Sequence, residues 1–551
     1  MPGGGQTPAK EVQGVGVSAI NTPASLPPAS PDNAPKSIRP FGTLTVALPS
    51  PLSPAMREAV VANESTEWHV NHRDLPTLLD WLSASNAPNA RLSVTVDDAH
   101  ADLSAYLAYL RQPSRVTKAA GAVYLSTANL SHWQTAPVSL APLERLIETT
   151  SDLPELSTIT VQGDQLEPWG ASAVDELALV LSWWMAYCDQ LTDGGLPIVT
   201  VFVRTELTLP TGSDFFPDLA KFRALRSLAD KVAQAYGVAR TAPRPRLRAV
   251  SGVRNKTFYD PDGNLLRNAT EALAALAAGV DTLSLLPHDF LSPSAGLFGI
   301  RMATNAYQML RHEAHLGKVY DPAAGSYFIE NLTGQLVEKA WQQLLDWEDQ
   351  GGFTKLLQDG TLEAHCRANL IEQTTAYQTH RQIAVGATRY GNAQEQNSEP
   401  LDTTVARVVL PFERIRNVID QQVAQGRPRP VVGVCTQPDP PAANHRRHYV
   451  QDVLVCLGLA RQDIALAELP TLADEPPLIA LVFCGTDAFY ESTVVELLPA
   501  QPSVSYPRWI AGGSADTITK VGKAGGDGVL GIGHNLMALF EPLIDQWKHE
   551  A

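Results

Sequence analysis

The feature that most constrains the fold of this 551-residue chain is an alternation of short apolar segments with longer segments of helical periodicity. Six short segments predict β-strands, because they are apolar on both faces, as parallel strands covered by helices are. They lie at residues 92–96, 122–126, 158–162, 197–203, 246–251 and 281–287. Between them, residues 213–237 and 268–279 carry helical patterns that end in glycine. This alternation predicts a (β/α)8 barrel.

A second alternation of the same kind occupies the C-terminal part of the chain. It begins with a strand at 430–435 and a helix at 445–459, followed by three further strand–helix pairs, the first of which starts with a strand at 479–484. This pattern predicts a flavodoxin-like doubly wound domain. The predicted domains are a disordered Pro/Gly/Ala-rich tail, a barrel, a linker with one helix at 411–426, and the doubly wound domain, at residues 1–39, 40–374, 375–428 and 429–551 respectively.

Charge and cysteine content exclude several classes of protein. The net charge of −16 argues against a nucleic acid or an anionic membrane surface as partner, since both need a basic face. We see neither a signal peptide nor an apolar run long enough to span a membrane, and we expect a cytoplasmic protein. An odd number of cysteines without a C-x-x-C pair argues against a disulfide scaffold or a zinc site. The cysteines are Cys188, Cys366, Cys435, Cys456 and Cys484.

No local motif announces an active site. The glycine-rich stretch at 511–535 lacks the G-x-x-x-x-G-K-[ST] pattern of a phosphate-binding loop, and its glycines are better read as turn residues. His445 and His448 have a spacing that metal ligands can use, but no third ligand is apparent, so no metal is predicted. Asp487 follows a strand as a receiver-type phosphoacceptor would, without the paired acidic residues that such a site needs.

Several longer motifs resemble one family. The stretch YDPAAGSYFIENLT at 320–333 resembles the D-P-x-G-G-S-Y-x-x-E-x-L-T motif of the methylmalonyl-CoA mutase family. Residues 214–226, 251–289 and 298–319 are similar to further blocks of that family, and the resemblance covers about residues 150–551. It implies a substrate-threaded (β/α)8 barrel followed by a cobalamin-type flavodoxin-like domain. The first motif is then expected to be scaffold, a helix, turn and strand that include Asp321, Pro322, Gly325, Ser326 and Tyr327.

The chain departs from the catalytic members of that family at two places. Those members hold adenosylcobalamin through the His of D-x-H-x-x-G, and here Pro441, Ala443 and Arg446 stand at the Asp, His and Gly positions. They also carry a Tyr-His pair that contacts the thioester, and here Asp164 and Gln165 occupy those positions. Neither residue can supply an imidazole. The resemblance therefore implies no catalytic, cofactor-binding or metal-binding residue in this chain.

The loss of both the D-x-H-x-x-G motif and the Tyr-His pair indicates the non-catalytic small subunit of the heterodimeric enzyme. The resemblance then implies a homologous large subunit that binds adenosylcobalamin and the acyl-CoA substrate, and that interconverts methylmalonyl-CoA and succinyl-CoA by a radical shift. Two alternatives stay open. One is an acyl-CoA mutase that is active without a lower His ligand. The other is a stand-alone module that binds acyl-CoA or cobalamin.

Overall fold

We describe the fold from a computed structural model. It describes residues 138–549 except 294, 439–440, 472–477 and 501–505, and before residue 138 it describes only the separate segments 10–12, 15–17, 43–47, 66–71, 73–74, 76, 78–80, 91–96, 103–111, 121–125 and 130–135. The chain divides into two compact units. The first comprises Met1–Val253, Leu265–Phe290 and Ala295–Asn369, and the second comprises Arg254–Asn264, Leu291–Ser294 and Leu370–Ala551.

The first unit is organised by a parallel sheet of nine strands in the order β7-β6-β5-β4-β3-β11-β10-β9-β8. The strands are β3 Thr43–Ala47, β4 Thr66–Asn71, β5 Arg91–Val96, β6 Gly121–Leu125, β7 Leu156–Ser157, β8 Ile159–Gln162, β9 Thr205–Thr211, β10 Arg246–Ser251 and β11 Thr282–Ser284. The two strands at the ends of this order, β7 and β8, are separated in the chain by Thr158 alone.

Helices follow most strands of the first unit. They are α1 Ser104–Leu110, α2 Leu130–Thr135, α3 Ala141–Thr149, α4 Ala173–Asp193, α5 Ile198–Val203, α6 Phe215–Ala235, α7 Gly263–Ala278, α8 Leu297–His312, α9 Tyr327–Asp349, α10 Gly352–Gln358 and α11 Thr361–Gln378. Helix α4 packs against α6, α9 and α10 and buries Trp183 and Trp184 completely. Among the described residues, no helix has the length and apolar character that a membrane span requires.

The second unit contains a parallel sheet of five strands in the order β13-β12-β14-β15-β16. The strands are β12 Val431–Thr436, β13 Ala460–Ile464, β14 Leu478–Cys484, β15 Arg508–Ile510 and β16 Gly528–Val529. Its helical segments are α12 Leu410–Ala424, α13 Pro441–Cys456, α14 Asp487–Phe489, a π-helical turn Tyr490–Val494, α15 Val495–Ala500, α16 Ala515–Lys523 and α17 Leu536–His549. Helix α12, predicted inside the linker, contributes Phe412, Ile415 and Ile419 to the core of this unit.

The strand predicted at 197–203 is wrong, since residues Ile198–Val203 form helix α5 and the strand is the next segment, β9. The β-branched residues of this segment favour a strand, but Val199 is 45% exposed, which no central position of a covered parallel sheet allows. Strand β13 has no counterpart among the predicted strands. Lys10–Val12 and Val15–Val17 form an antiparallel pair, β1 and β2. The rest of the tail predicted at 1–39 lies outside the described residues.

The motif at 320–333 forms a turn followed by the first turns of helix α9, and the strand predicted there is wrong. Asp321 accepts a hydrogen bond from Ala323 N at 3.2 Å and forms an ion pair with Arg223 of α6. Glu330 accepts from Arg223 Nη2 at 2.7 Å and from Gly325 N at 3.2 Å. Gly325 has a φ of +79°, which a side chain would strain. Ser326 is the N-cap residue and Tyr327 the first residue of α9. The motif thus fastens α9 to α6.

Breaking this attachment should cost the first unit stability. We expect Arg223→Met to lower the free energy of unfolding by about 2–3 kcal/mol, because two largely buried carboxylates lose a charged donor. Urea unfolding followed by circular dichroism measures the change. The control is Arg367→Met, which removes the exposed pair with Glu363 and should cost less than about 1 kcal/mol. Equal losses in the two variants would contradict a structural role for the motif.

Candidate functional site

The first candidate site follows β8, where the short 3-10 helix Gly163–Trp169 carries Asp164 and Gln165. The Gln165 side chain is bound at both ends by the fold. Its Oε1 accepts a hydrogen bond from Leu130 N at 2.9 Å, and its Nε2 donates to Gln162 Oε1 at 2.8 Å. Since Leu130 begins helix α2, the amide satisfies one of the free N–H groups of that helix start. Gln165 is therefore a structural link between two loops.

Asp164 lies half-buried beside it, and the backbone there has no spare room. A Cβ atom on Gly163 would overlap Thr208 O and Val180 Cγ2, at 2.3 and 2.4 Å. Burial raises the pKa of Asp164 above its ordinary value, against the opposite influence of Arg248. A carboxyl group in this position can exchange a proton, but it offers neither the phenol nor the imidazole of the family's Tyr-His pair.

Arg248 belongs to a buried polar network that is absent from the sequence predictions. The guanidinium of Arg248 on β10 donates to the hydroxyl of Tyr124 on β6 and, at 2.6 Å, to Ser284 Oγ on β11. Tyr124 in turn donates to Glu206 on β9, which lies 3.5 Å from Arg248 Nη1. Thr282 Oγ1 lies 3.4 Å from the second Glu206 oxygen. The network joins four strands and neutralises its own charges.

A signal for this network was present in the sequence. Glu206 and Arg248 are opposite charges that each stand next to a leucine, and a charge in a covered strand needs a buried partner. The apolar run before Glu206 predicts the strand, so the segment that contains Glu206 is not predicted as one. Without the register of β9 and β10, the two charges could not be paired.

The second candidate site is the carboxyl edge of the second sheet, where helix α13 begins. Pro441 is exposed, Ala443 is fully buried, and Arg446 lies on the second helical turn. Arg446 Nη1 donates to Gly485 O at 2.6 Å and its Nη2 to Asp487 Oδ1 at 2.7 Å. This ion pair holds the pKa of Asp487 below its ordinary value. The three residues provide no cobalt ligand, and the only long side chain among them is engaged by the next loop.

The remaining edges of this crevice are also bound to each other. Gln437, just after β12, donates its N–H to Cys484 O at 2.8 Å. Its Oε1 accepts from Thr486 N at 3.0 Å and lies 3.1 Å from the Thr486 hydroxyl. Tyr490 Oη accepts from Gly485 N at 3.0 Å. The loops after β12 and β14 are thus held together by side chains of the protein itself.

The other residues weighed from the sequence show no ligand-binding arrangement. His445 and His448 are both exposed on α13, and within the part of the chain that the structure describes, no group of three His, Cys, Asp or Glu side chains could hold a metal ion. The glycines at 512 and 513 lead into Ser514, which caps helix α16 by accepting from Thr517 N. Asp487 Oδ2 accepts from Ser514 N at 2.9 Å, so a carboxylate already occupies the start of that helix.

Comparison with known proteins identifies relatives of one kind. The family model described as methylmalonyl-CoA mutase matches residues 130–425. The chain is 33% identical over 252 residues to the methylmalonyl-CoA mutase small subunit of Porphyromonas gingivalis, covering 45% of this chain and 41% of the relative. It is 32% identical over 374 residues to the probable small subunit of Mycobacterium tuberculosis, covering 65% and 60% respectively. The Porphyromonas gingivalis large subunit is 28% identical over 256 residues, covering 46% and 35%. The chain thus spans less than two thirds of the length of each of these relatives.

The raised pKa of Asp164 predicts how its replacement changes stability with pH. The folded state binds the Asp164 proton more tightly than the unfolded chain does, so the associated stability is complete below the unfolded-state pKa and is lost as pH rises through the folded-state pKa. We therefore expect Asp164→Asn to melt at a higher temperature than the parent at pH 7, with a gain that shrinks as the pH falls. Differential scanning calorimetry from pH 7 to pH 4 measures it.

The matched control is Glu338→Gln, which neutralises an exposed carboxylate in the middle of helix α9. The difference in melting temperature between this variant and the parent should stay nearly constant across the same pH range. A gain for Asp164→Asn that grows toward acid would contradict the position assigned to Asp164.

Proposed function

This chain belongs to the methylmalonyl-CoA mutase family, and from that premise we propose that it is the catalytically silent small subunit of a heterodimeric methylmalonyl-CoA mutase. Its partner is a homologous large subunit that binds adenosylcobalamin and the acyl-CoA substrate and interconverts methylmalonyl-CoA and succinyl-CoA. Relatives named as small subunits occur among the matches, and Porphyromonas gingivalis has both a small- and a large-named relative. The complex catalyses an isomerisation, and this chain stabilises its partner.

The observation that carries the proposal is that Gln165 is bound by the scaffold and that Asp164 beside it is a partly buried carboxyl group. Gln165 is held by Leu130 and Gln162, and Asp164 is a partly buried carboxyl group close to the Arg248 network. A thioester that also carries a carboxylate would meet an acidic group here in place of a phenol and an imidazole. The residues at these two positions therefore support a subunit that carries out no catalytic step.

Adenosylcobalamin does not fit the residues at the family's cofactor positions in the described part of the second unit. The position of the cobalt ligand is Ala443, which has no donor atom and is fully buried, and the position of its orienting acid is Pro441. Arg446 is already bound to Gly485 and Asp487. We therefore assign the cofactor to the large subunit alone.

We also propose the finer architecture of the two sheets. From β3 to β7 and from β8 to β11, strands that are consecutive in the chain are neighbours in the first sheet, and β11 pairs with β3. The end strands β7 and β8 are one residue apart in the chain and can be counted as one strand, which supports eight strands closed into a (β/α)8 barrel. The order β13-β12-β14-β15-β16 is the 2-1-3-4-5 order of flavodoxin-like domains. We infer domain limits of 40–374, 375–428 and 429–551 for the barrel, linker and second domain. We expect a cytoplasmic location, because all five cysteines are buried and free.

The isolated chain should bind no adenosylcobalamin at low micromolar concentration and should form no succinyl-CoA. The reason is the absence of a cobalt ligand and of the Tyr-His pair, since general acid or hydrogen-bonding groups contribute about 10²–10⁴-fold in rate. Absorption spectroscopy and a coupled mutase assay measure the two results. Stoichiometric cofactor binding would favour the alternative of a mutase or module that holds cobalamin without a lower ligand.

Co-expression with a homologous chain that carries D-x-H-x-x-G should give a stable one-to-one complex on size exclusion with light scattering. We expect an interface above about 2,000 Å² in total, as obligate pairs have. If the chain stays separate from every co-encoded homologue, the subunit proposal fails and the stand-alone module takes its place.

The helices of the first unit offer a candidate contact surface. Phe216 on α6 is 51% exposed and its ring lies 5.5 Å from Phe328 on α9, beside the exposed Tyr327. An aromatic patch of this kind suits a protein interface. Phe216→Glu should weaken the complex at least tenfold without lowering the melting temperature of the free chain, because an acidic residue is favourable in the first turn of a helix.

The matched control is Leu266→Glu, which alters a 74% exposed apolar side chain near the start of α7. Affinities of the three proteins for the large chain are measured by surface plasmon resonance. An unchanged affinity for Phe216→Glu would remove this patch from the interface while leaving the complex itself in place.

A further inference from the structure

The carboxyl edge of the second sheet has the geometry of a ligand site. In open parallel sheets, ligands bind in the crevice where the strand order reverses. Here the order reverses between β12 and β14, so the crevice is bordered by Gln437 on one side and by the loop from Gly485 to Asp487 on the other. Arg446 reaches this crevice from α13.

The contacts of Arg446 are those that a bound cation would make. Its two terminal nitrogens donate to a carbonyl oxygen, Gly485 O, and to a carboxylate, Asp487, at 2.6 and 2.7 Å. Its guanidinium lies 5.2 Å from the ring centroid of Tyr490, close enough for a cation–π contact. A planar donor group, two acceptors and an aromatic face together make a built guanidinium site.

The acceptors of this site are themselves held in place. Asp487 Oδ2 accepts from Ser514 N at 2.9 Å, which fixes the carboxylate against the start of α16. Tyr490 is fully buried, and its hydroxyl contacts Gly485 N, Phe483 O and Ala511 O at 3.0–3.1 Å. The site therefore depends on the loops after β14 and β15 and not on Arg446 alone.

We propose that Arg446 is an internal ligand of this crevice: its guanidinium occupies the ligand position at the reversal point, joins helix α13, which follows β12, to the loop after β14, and completes the second unit without a cofactor. The inference concerns this unit itself, so it holds whether the chain is a subunit or a stand-alone module. It follows that a small guanidinium compound will bind the same position when the arginine side chain is shortened.

Arg446→Ala tests this in the full chain. The deletion leaves a space that matches ethylguanidinium, the part of the side chain beyond Cβ. We expect a loss of about 5 °C in melting temperature from the lost charged hydrogen bonds, with part of the loss restored saturably by ethylguanidinium and not by ethylammonium. Differential scanning fluorimetry across a ligand titration measures both effects.

Arg447→Ala is the matched control, because the next residue of the same helix is an arginine that pairs with Asp463 on β13 at 3.1 Å and lies 35% exposed. It should lose little stability and show no specific gain from ethylguanidinium. The double variant Arg446→Ala/Asp487→Ala should lose the rescue, because the acceptor is gone. Equal responses of Arg446→Ala and Arg447→Ala would overturn the proposal.

A further variant covers the case in which Arg446→Ala does not fold. Arg446→Lys keeps the charge but loses the planar donor pair, so we expect an intermediate melting temperature and no response to ethylguanidinium, since the lysine fills the space. A melting temperature equal to that of the parent would show that the guanidinium makes no specific contribution, and would also overturn the proposal.

Discussion

A charge that is removed from water must find a partner, and the interior of this protein depends on that requirement. Lys221 on α6 lies 2.6 Å from Glu176 on α4, with both side chains 3% exposed. Arg407 pairs with Glu413 in the second unit, and Arg248 pairs with Glu206 in the first sheet. Loss of one partner from such a pair would leave the other charge buried and uncompensated. Each pair therefore fixes the packing of the elements that carry it.

The alternation of elements could be read from the sequence because parallel strands are buried on both faces. Strands β5, β6, β8 and β10 lie within one residue of the predicted bounds. Strand β9 escaped because Thr205, Glu206 and Thr208 make it look polar, although all seven of its positions are buried. Hydropathy cannot show that a buried polar residue has a partner on another strand. Strand β13 was missed for the opposite reason, since an edge strand with exposed charges has no apolar pattern.

The candidate sites were only partly predictable. The positions Asp164, Gln165, Pro441, Ala443 and Arg446 followed from the family resemblance, which indicates what is absent. It could not indicate what the replacements do, because their partners are distant in sequence. Gln165 bonds to Leu130, which lies 35 residues away, and Arg446 bonds to Gly485 and Asp487, which lie 39 and 41 residues away. Contacts of this kind depend on how the sheet brings loops together, and no local pattern records them.

The two candidate sites differ in how the protein pairs their polar groups, and the packing around each site explains why. In the first sheet the polar groups are arranged around a network of four strands, so the side chains at 164 and 165 need only fit its edge. In the second sheet the carbonyl of Gly485 and the carboxylate of Asp487 both need a donor at the corresponding edge, where the side chains of Arg446 and Asp487 are only 28% and 35% exposed. A long side chain with a fixed planar charge meets both needs at once, because it satisfies Gly485 O and Asp487 together. A short or flexible residue at position 446 would meet at most one.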